Sequence, residues 1–222
     1  MIDNYNKLSV GKYEEICRIC ESDREDIDKQ VAVLSILTGK SCDDILNTPI
    51  TEYQALVRQS SFLDKDTPKP NARVAHSYRL GDYDLRPVSD VPGLTTAQYI
   101  DFQTLTKDGS RDLACIASVF LIPKGFKYNY GYDLAEVQKA IRENMSIVEM
   151  GNLLAFFLQK LIGSIKATLT YSGWIVQRMK GVEREKMTRQ IRECRTALQT
   201  AMAGSATLTQ FPKPSASAGM KC

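Results

Sequence analysis

Cys17-Arg-Ile-Cys20 has the spacing of half a zinc site or of a redox pair, and it is the first place in this 222-residue chain where chemistry can be sought. A structural zinc site takes four ligands, and neither a second cysteine pair nor a His-x-x-x-His pattern follows. Residues three apart on a helix share a face, so the two cysteines also suit small core positions. Gly39-Lys40-Ser41 matches the end of a phosphate-binding loop, whose backbone N–H groups cradle phosphate while lysine and hydroxyl reach phosphate and magnesium. That pattern needs a glycine where Leu34 stands and a strand where a helical pattern runs, so the stretch reads as a helix stop followed by a helix cap. His76 is the only histidine, and any histidine acid–base chemistry must pass through it. It falls in an alternating, strand-like stretch without a neighbouring Ser or Cys nucleophile motif, which reads as a structural position. The carboxylates of Glu14-Glu15 and Asp23 to Asp28 sit in helix faces and turns, not as a pair set across a cleft as a hydrolase requires. These residues form no nucleophile, base and ligand set. The expectation is a non-enzymatic protein with no catalytic residue, no metal and no bound cofactor.

Two stretches are suited to binding instead. Lys124-Gly-Phe-Lys-Tyr-Asn-Tyr-Gly-Tyr132 interleaves Phe126, Tyr128, Tyr130 and Tyr132 with Lys124 and Lys127. Aromatic and basic groups together stack on single-stranded nucleic acid. They also suit a protein interface, where tyrosine gives large contact area at low entropy cost, or a loop packed on its own domain. Phe156, Phe157, Leu158, Leu161, Ile162 and Ile165 nearly encircle one helix, with Trp174 further along. A helix apolar on most sides is central in its own fold or buried against other chains. Lys124, Phe126, Lys127, Tyr128, Tyr130, Tyr132, Phe156, Phe157 and Trp174 are therefore the candidate partner-binding residues. A basic segment follows at Arg178, Lys180, Arg184, Lys186, Arg189, Arg192 and Arg195, interrupted by Glu183, Glu185 and Glu193. Ion pairs within the helix account for much of it, and contact with packaged DNA or an acidic partner surface is the alternative.

The elements that position these groups read as mainly α, with one β-hairpin. Ser9 caps a helix carrying Tyr13, Ile16, Cys17 and Cys20; Ile27, Val31 and Leu34 mark a second that stops at Gly39. Ser41 caps a third, and a fourth begins at Thr48 with Pro49 in its first turn. Residues 1–62 thus form an N-terminal helical module. The polar stretch 63–72, with two prolines, reads as a linker. A hairpin of Val74 to Leu80 and Tyr83 to Val88 around Gly81-Asp82 opens a larger helical domain over 73–203. Thr95 with Gln98 has capping-box spacing for a helix through Leu105, and Asp112 to Leu121 forms the next, stopped by Pro123-Lys124-Gly125. Asp133 caps a helix through Asn144. Ser146 with Glu149 opens a long one to about Lys180, with Gly163 and Gly173 as candidate bends, and a charged helix covers Glu183 to Thr200. The tail over 204–222 is rich in Ser, Ala, Pro and Gly and carries too little apolar mass to fold alone.

Bulk composition is that of a globular chain, 43% hydrophobic and 25% charged. Charge is unevenly placed. Residues 1–66 hold 13 acidic against 8 basic side chains, a net −5 that leaves +8 for the remainder of a chain whose total is +3. Such asymmetry suits head-to-tail contact between copies or a polyanionic neighbour, and two separately solvated surfaces would give it as well. Six dispersed cysteines imply reduced thiols and a cytoplasmic site of synthesis. The N-terminus lacks the features of a signal peptide, and Gln159, Lys160 and Lys166 interrupt the longest apolar stretch, so no membrane partner is expected.

The wording Leu94-Thr-Thr-Ala-Gln-Tyr-Ile-Asp-Phe102, Phe120-Leu-Ile-Pro-Lys-Gly-Phe-Lys-Tyr-Asn129 and Ala155-Phe-Phe-Leu158 resembles small proteins from the structural gene blocks of tailed phages that infect gut Bacteroidota. The general layout of most of residues 8–202 is similar, while the specific wording is confined to those three neighbourhoods. The resemblance implies a tail-assembly chaperone or a minor virion protein of the tail, neck or capsid. It implies other phage structural proteins as partners, including the tape measure, together with self-association and a location in the bacterial host cytoplasm or the virion. It brings no catalytic residues. A nucleic-acid-binding phage accessory protein is the alternative reading.

Overall fold

Ser9 is extended, and its hydroxyl accepts from the Lys12 N–H, which starts α1 at Val10–Glu21. The computed structural model describes residues 1–89, 93–107, 112–178 and 182–208. α2 spans Asp26–Thr38 and ends on Gly39 at φ 75°, the left-handed stop its sequence predicts. Ser41 and Asp44 then close a capping box on the short α3, Cys42–Leu46. α4 covers Ile50–Ser60 with Pro49 as its cap residue, one position later than expected.

β1 (Tyr78–Leu80) and β2 (Tyr83–Pro87) pair antiparallel across Gly81-Asp82, with Gly81 at φ 59°. The strand is shorter than the alternation suggested. His76 lies in a bend ahead of β1 and is exposed, so it is not a strand residue. Thr95 and Gln98 do form a capping box, on α5 at Thr96–Lys107. α6 (Leu113–Phe120) is capped by Asp112 and stops one residue early. Leu121–Pro123, expected as the end of that helix, is β3; it pairs with β2 in the register Leu85↔Pro123 and gives a three-stranded sheet in the order β1-β2-β3. Apolar periodicity over three residues does not separate a helix end from a buried strand. The open edge of β2 decides it.

α7 (Leu134–Asn144) follows its Asp133 cap. α8 runs unbroken over Ile147–Arg178, behind the Ser146–Glu149 capping box. Neither Gly163 nor Gly173 interrupts it. α9 covers Val182–Leu208, further than Thr200. Lys180, the expected end of α8, and 209–222, most of the expected tail, lie outside the described residues. Among the described residues the protein is mainly α with one small antiparallel sheet.

One principal core joins both sides of segment 63–72. Leu8, Val10 and Ile16 pack in the same cluster as Leu85, Leu121, Ile141 and Met150. The backbone sews these regions together: Val10 N–H donates to the Met145 carbonyl and Ile147 N–H to that of Leu8, both at 2.9 Å. The expected linker is itself attached. Leu63 is buried in the core, the Tyr5 hydroxyl donates to the Lys65 carbonyl at 3.0 Å, and Asn71 N–H donates to Asn152 Oδ1 at 2.9 Å. Gly11 lets α1 approach α7 closely, since a Cβ there would lie 3.1 Å from the Arg142 carbonyl oxygen. A second, smaller cluster of Val31, Leu34 and Ile45, flanked by Tyr53, Leu56 and Val57, holds α2, α3 and α4 together.

Candidate functional site

The aromatic loop is a built turn anchored by one tyrosine. It leaves β3 with Lys124 N–H donating to the Asp84 carbonyl, and Gly125 at φ 87° turns the chain. Asn129 takes a left-handed φ of 56°, and its N–H donates to the Tyr132 hydroxyl at 3.1 Å. Phe126 meets Tyr132 edge-on with centroids 5.9 Å apart. Gly131 lies so close under Phe126 that a Cβ would come within 3.0 Å of the ring. Tyr128 is buried, and its hydroxyl donates to Asp101 Oδ2 at 2.7 Å, tying the loop to α5. Burial, with that carboxylate beside it, pushes the Tyr128 hydroxyl pKa upward. The loop therefore divides its aromatic groups. Tyr128 serves the protein's own packing and Tyr132 is half-buried, while Phe126, Tyr130, Lys124 and Lys127 face outward.

Phe157 is likewise an internal residue. It stacks on Phe120 with centroids 4.0 Å apart, Phe120 meets Phe102 at 5.2 Å, and Phe156 meets Phe157 edge-on. Lys160 lies over the Phe156 ring, which is half-buried. Of the candidate partner contacts, Tyr128 and Phe157 are therefore buried within the protein's own fold.

Beyond Phe157, α8 leaves the core and its surroundings change. Val176 and Ile191 are buried where α9 folds back against it. Round the helix from that seam, Tyr171 is 61% exposed, Trp174 47% and Ile175 39%. Tyr171 stacks on Trp174 at 6.0 Å, and the Arg178 guanidinium lies 3.5 Å above the Trp174 ring. The spacing i, i+3, i+7 sets the three in one ladder on the outward face. Of the candidate residues, Trp174 is thus placed in an exposed cluster. Tyr171, Ile175 and Arg178 belong with it, although only Trp174 stood out in the sequence as a binding residue. α8 is also the one described helix long and apolar enough to cross a membrane by length and composition.

Protein-family profiles, curated proteins and solved structures return no match to this chain.

Two titratable clusters complete the picture. Cys17 and Cys20 are half-buried against the core, and burial raises both thiol pKa values, which keeps them protonated and poorly nucleophilic at neutral pH. No group of three or more His, Cys, Asp or Glu side chains suited to a metal ion occurs among the described residues. Asp112, Arg142, Cys115 and Glu14 come together from α1, α6 and α7, a cluster that sequence spacing does not display because its members lie up to 128 positions apart. Arg142 pairs with the Asp112 carboxylate, which also accepts from Cys115 N–H, and Glu14 accepts from Leu113 N–H at 2.9 Å. Burial opposes the charge on Asp112, yet the Cys115 N–H and the guanidinium hold its carboxyl below the usual range. Burial pushes the Cys115 thiol up to about 11, with Asp112 adding to the effect. Each polar group here ties one helix to another.

Proposed function

We propose that this chain is a non-enzymatic phage morphogenesis protein that works by binding protein, as a virion component of the tail, neck or capsid or as a tail-assembly chaperone. The observation that carries this reading is the outward face of α8, where Tyr171, Trp174 and Ile175 stay exposed on a helix whose apolar pattern continues beyond the core. Tryptophan, tyrosine and arginine are the residues that dominate protein-interface energetics. The wording around Gln98–Phe102, Leu121–Gly125 and Phe156-Phe157 supplies the phage context by resemblance. Proteomics of purified particles tests it. Stoichiometric presence in virions identifies a structural role. Absence from virions with co-purification on a tape-measure protein identifies a chaperone, and absence from both refutes the proposal.

A second reading has its own observation. Phe126 and Tyr130 are exposed beside Lys124 and Lys127, and α9 carries exposed Arg184, Lys186, Arg189 and Arg192. Such groups track and stack single-stranded nucleic acid. Binding of that kind weakens steeply with salt, and flat salt dependence counts against it.

A further inference from the structure

The outer half of α8 and α9 form a two-helix arm with a net positive charge. Residues 159–199 carry nine basic and three acidic side chains, a net +6. The opposite character is found on α2 to α4 together with the end of α1 and the turn that leads from it. Residues 21–60 carry eight acidic and four basic side chains, a net −4, and the acidic positions are all exposed. Exposed apolar groups accompany each charge field: Tyr171, Trp174 and Ile175 on the arm, and Leu46 at 64% and Ile50 at 66% on the acidic face. Leu46 and Ile50 flank the corner between α3 and α4, outside the small cluster that joins those helices. Single exposed apolar side chains need no explanation, but two such sets framed by opposite charge match a protein interface with an apolar centre and a polar rim.

We propose that the arm of one copy docks on the acidic α2–α4 face of a second copy, giving head-to-tail assembly. Among the described residues both sets of apolar side chains are exposed, so the contact is assigned to different copies. Pairing of two arms with each other would set +6 against +6, whereas arm against acidic face sets opposite fields together and steers the encounter. A heterologous contact of this kind leaves one free arm and one free face at every step, so it propagates as a ring or an open filament. The inference rests on reading the arm as a protein-contact surface, and it narrows that reading to one partner.

Charge reversal tests it on the full chain. Sedimentation velocity at 0.1 M salt should show the average mass rising with protein concentration. Raising the salt to 1 M should weaken association by about tenfold, as the Debye length shortens from ~10 Å to ~3 Å. R184E/K186E/R192E should sediment as a monomer, and so should D23K/D28K/D43K. Mixing the two variants should give a dimer that goes no further, because the unaltered arm of D23K/D28K/D43K docks on the unaltered acidic face of R184E/K186E/R192E while the two altered surfaces have no complement. Circular dichroism checks that both variants fold; if one does not, R184Q/K186Q/R192Q replaces the arm variant or D23N/D28N/D43N the acidic-face variant, and either should associate at least several-fold more weakly than the parent. A parent chain that is monomeric at every concentration overturns the proposal, as does undiminished association of a folded arm variant or failure of the mixture to associate. Binding of a monomeric chain to single-stranded DNA or anionic vesicles through the arm overturns it too. A monomeric chain that still co-purifies with phage structural proteins removes self-assembly and leaves the proposed function standing.

Discussion

The two halves of α8 are built from the same kinds of side chain and have different neighbours. Up to Phe157 the helix is central: Ile147, Met150, Leu153 and Phe157 are buried, and Phe157 stacks on Phe120. Beyond it, Ile165, Tyr171, Trp174 and Ile175 are exposed, and among the described side chains Val176 of this half and Ile191 of α9 are buried. Apolar composition alone therefore does not fix burial. What decides it is how much of the rest of the chain reaches that part of the helix, and Phe120 of α6 meets α8 at Phe157, where α1 and α6 pack on it. An apolar helix that outruns its own core is a surface prepared for another molecule.

The contrast gives a graded series of tests. Phe157→Ala removes a stacked core ring and should cost about 3–5 kcal/mol in urea unfolding, whereas Trp174→Ala should cost less, about 1–2 kcal/mol, the loss of one exposed cation–π contact and one ring stack. Similar costs at both positions would erase the distinction between the halves. Within the aromatic loop, Tyr128→Phe leaves Asp101 without its donor and should destabilise by about 1–3 kcal/mol, while Tyr130→Phe should fall within ~0.5 kcal/mol of the parent.

The smallest effect expected is in pH dependence. The folded pKa of Asp112 is lowered, so its contribution is present above the unfolded carboxyl value of about 4 and is lost as pH falls through the folded value. Asp112→Asn should therefore flatten the acid limb of stability against pH. Glu14 acts in the opposite sense. Burial raises its pKa, so its contribution is full at low pH and declines as pH rises through the folded value, and Glu14→Gln should remove that decline. Thermal unfolding between pH 2 and pH 7 measures both.

The helix starts were legible because they are local. Ser9, Ser41, Thr95, Asp112, Asp133 and Ser146 each act within three residues of themselves. β3 was not legible, since Leu121–Pro123 becomes a strand only by meeting β2 more than thirty residues earlier in the chain. The same limit applied to the loop. Tyr128 and Tyr130 look alike in sequence, and Asp101, 27 residues away, selects Tyr128 for burial. The apolar character of α8 was plain, but its division at Phe157 depends on Phe120 and on where the core ends. Segment 63–72 read as a linker from its prolines, while the contacts made by Tyr5 and Asn152 are long-range and invisible to composition.

Trp174 is the only tryptophan, and it sits at the centre of the exposed ladder. Its fluorescence emission, followed as protein concentration rises at low salt, therefore reports directly on whether this face becomes covered. Docking of the arm predicts a blue shift that grows with concentration, reverses in high salt and is absent in R184E/K186E/R192E. Emission that stays at the exposed position across the whole range, for a chain that sediments as an assembly, would place the contact elsewhere and contradict the account.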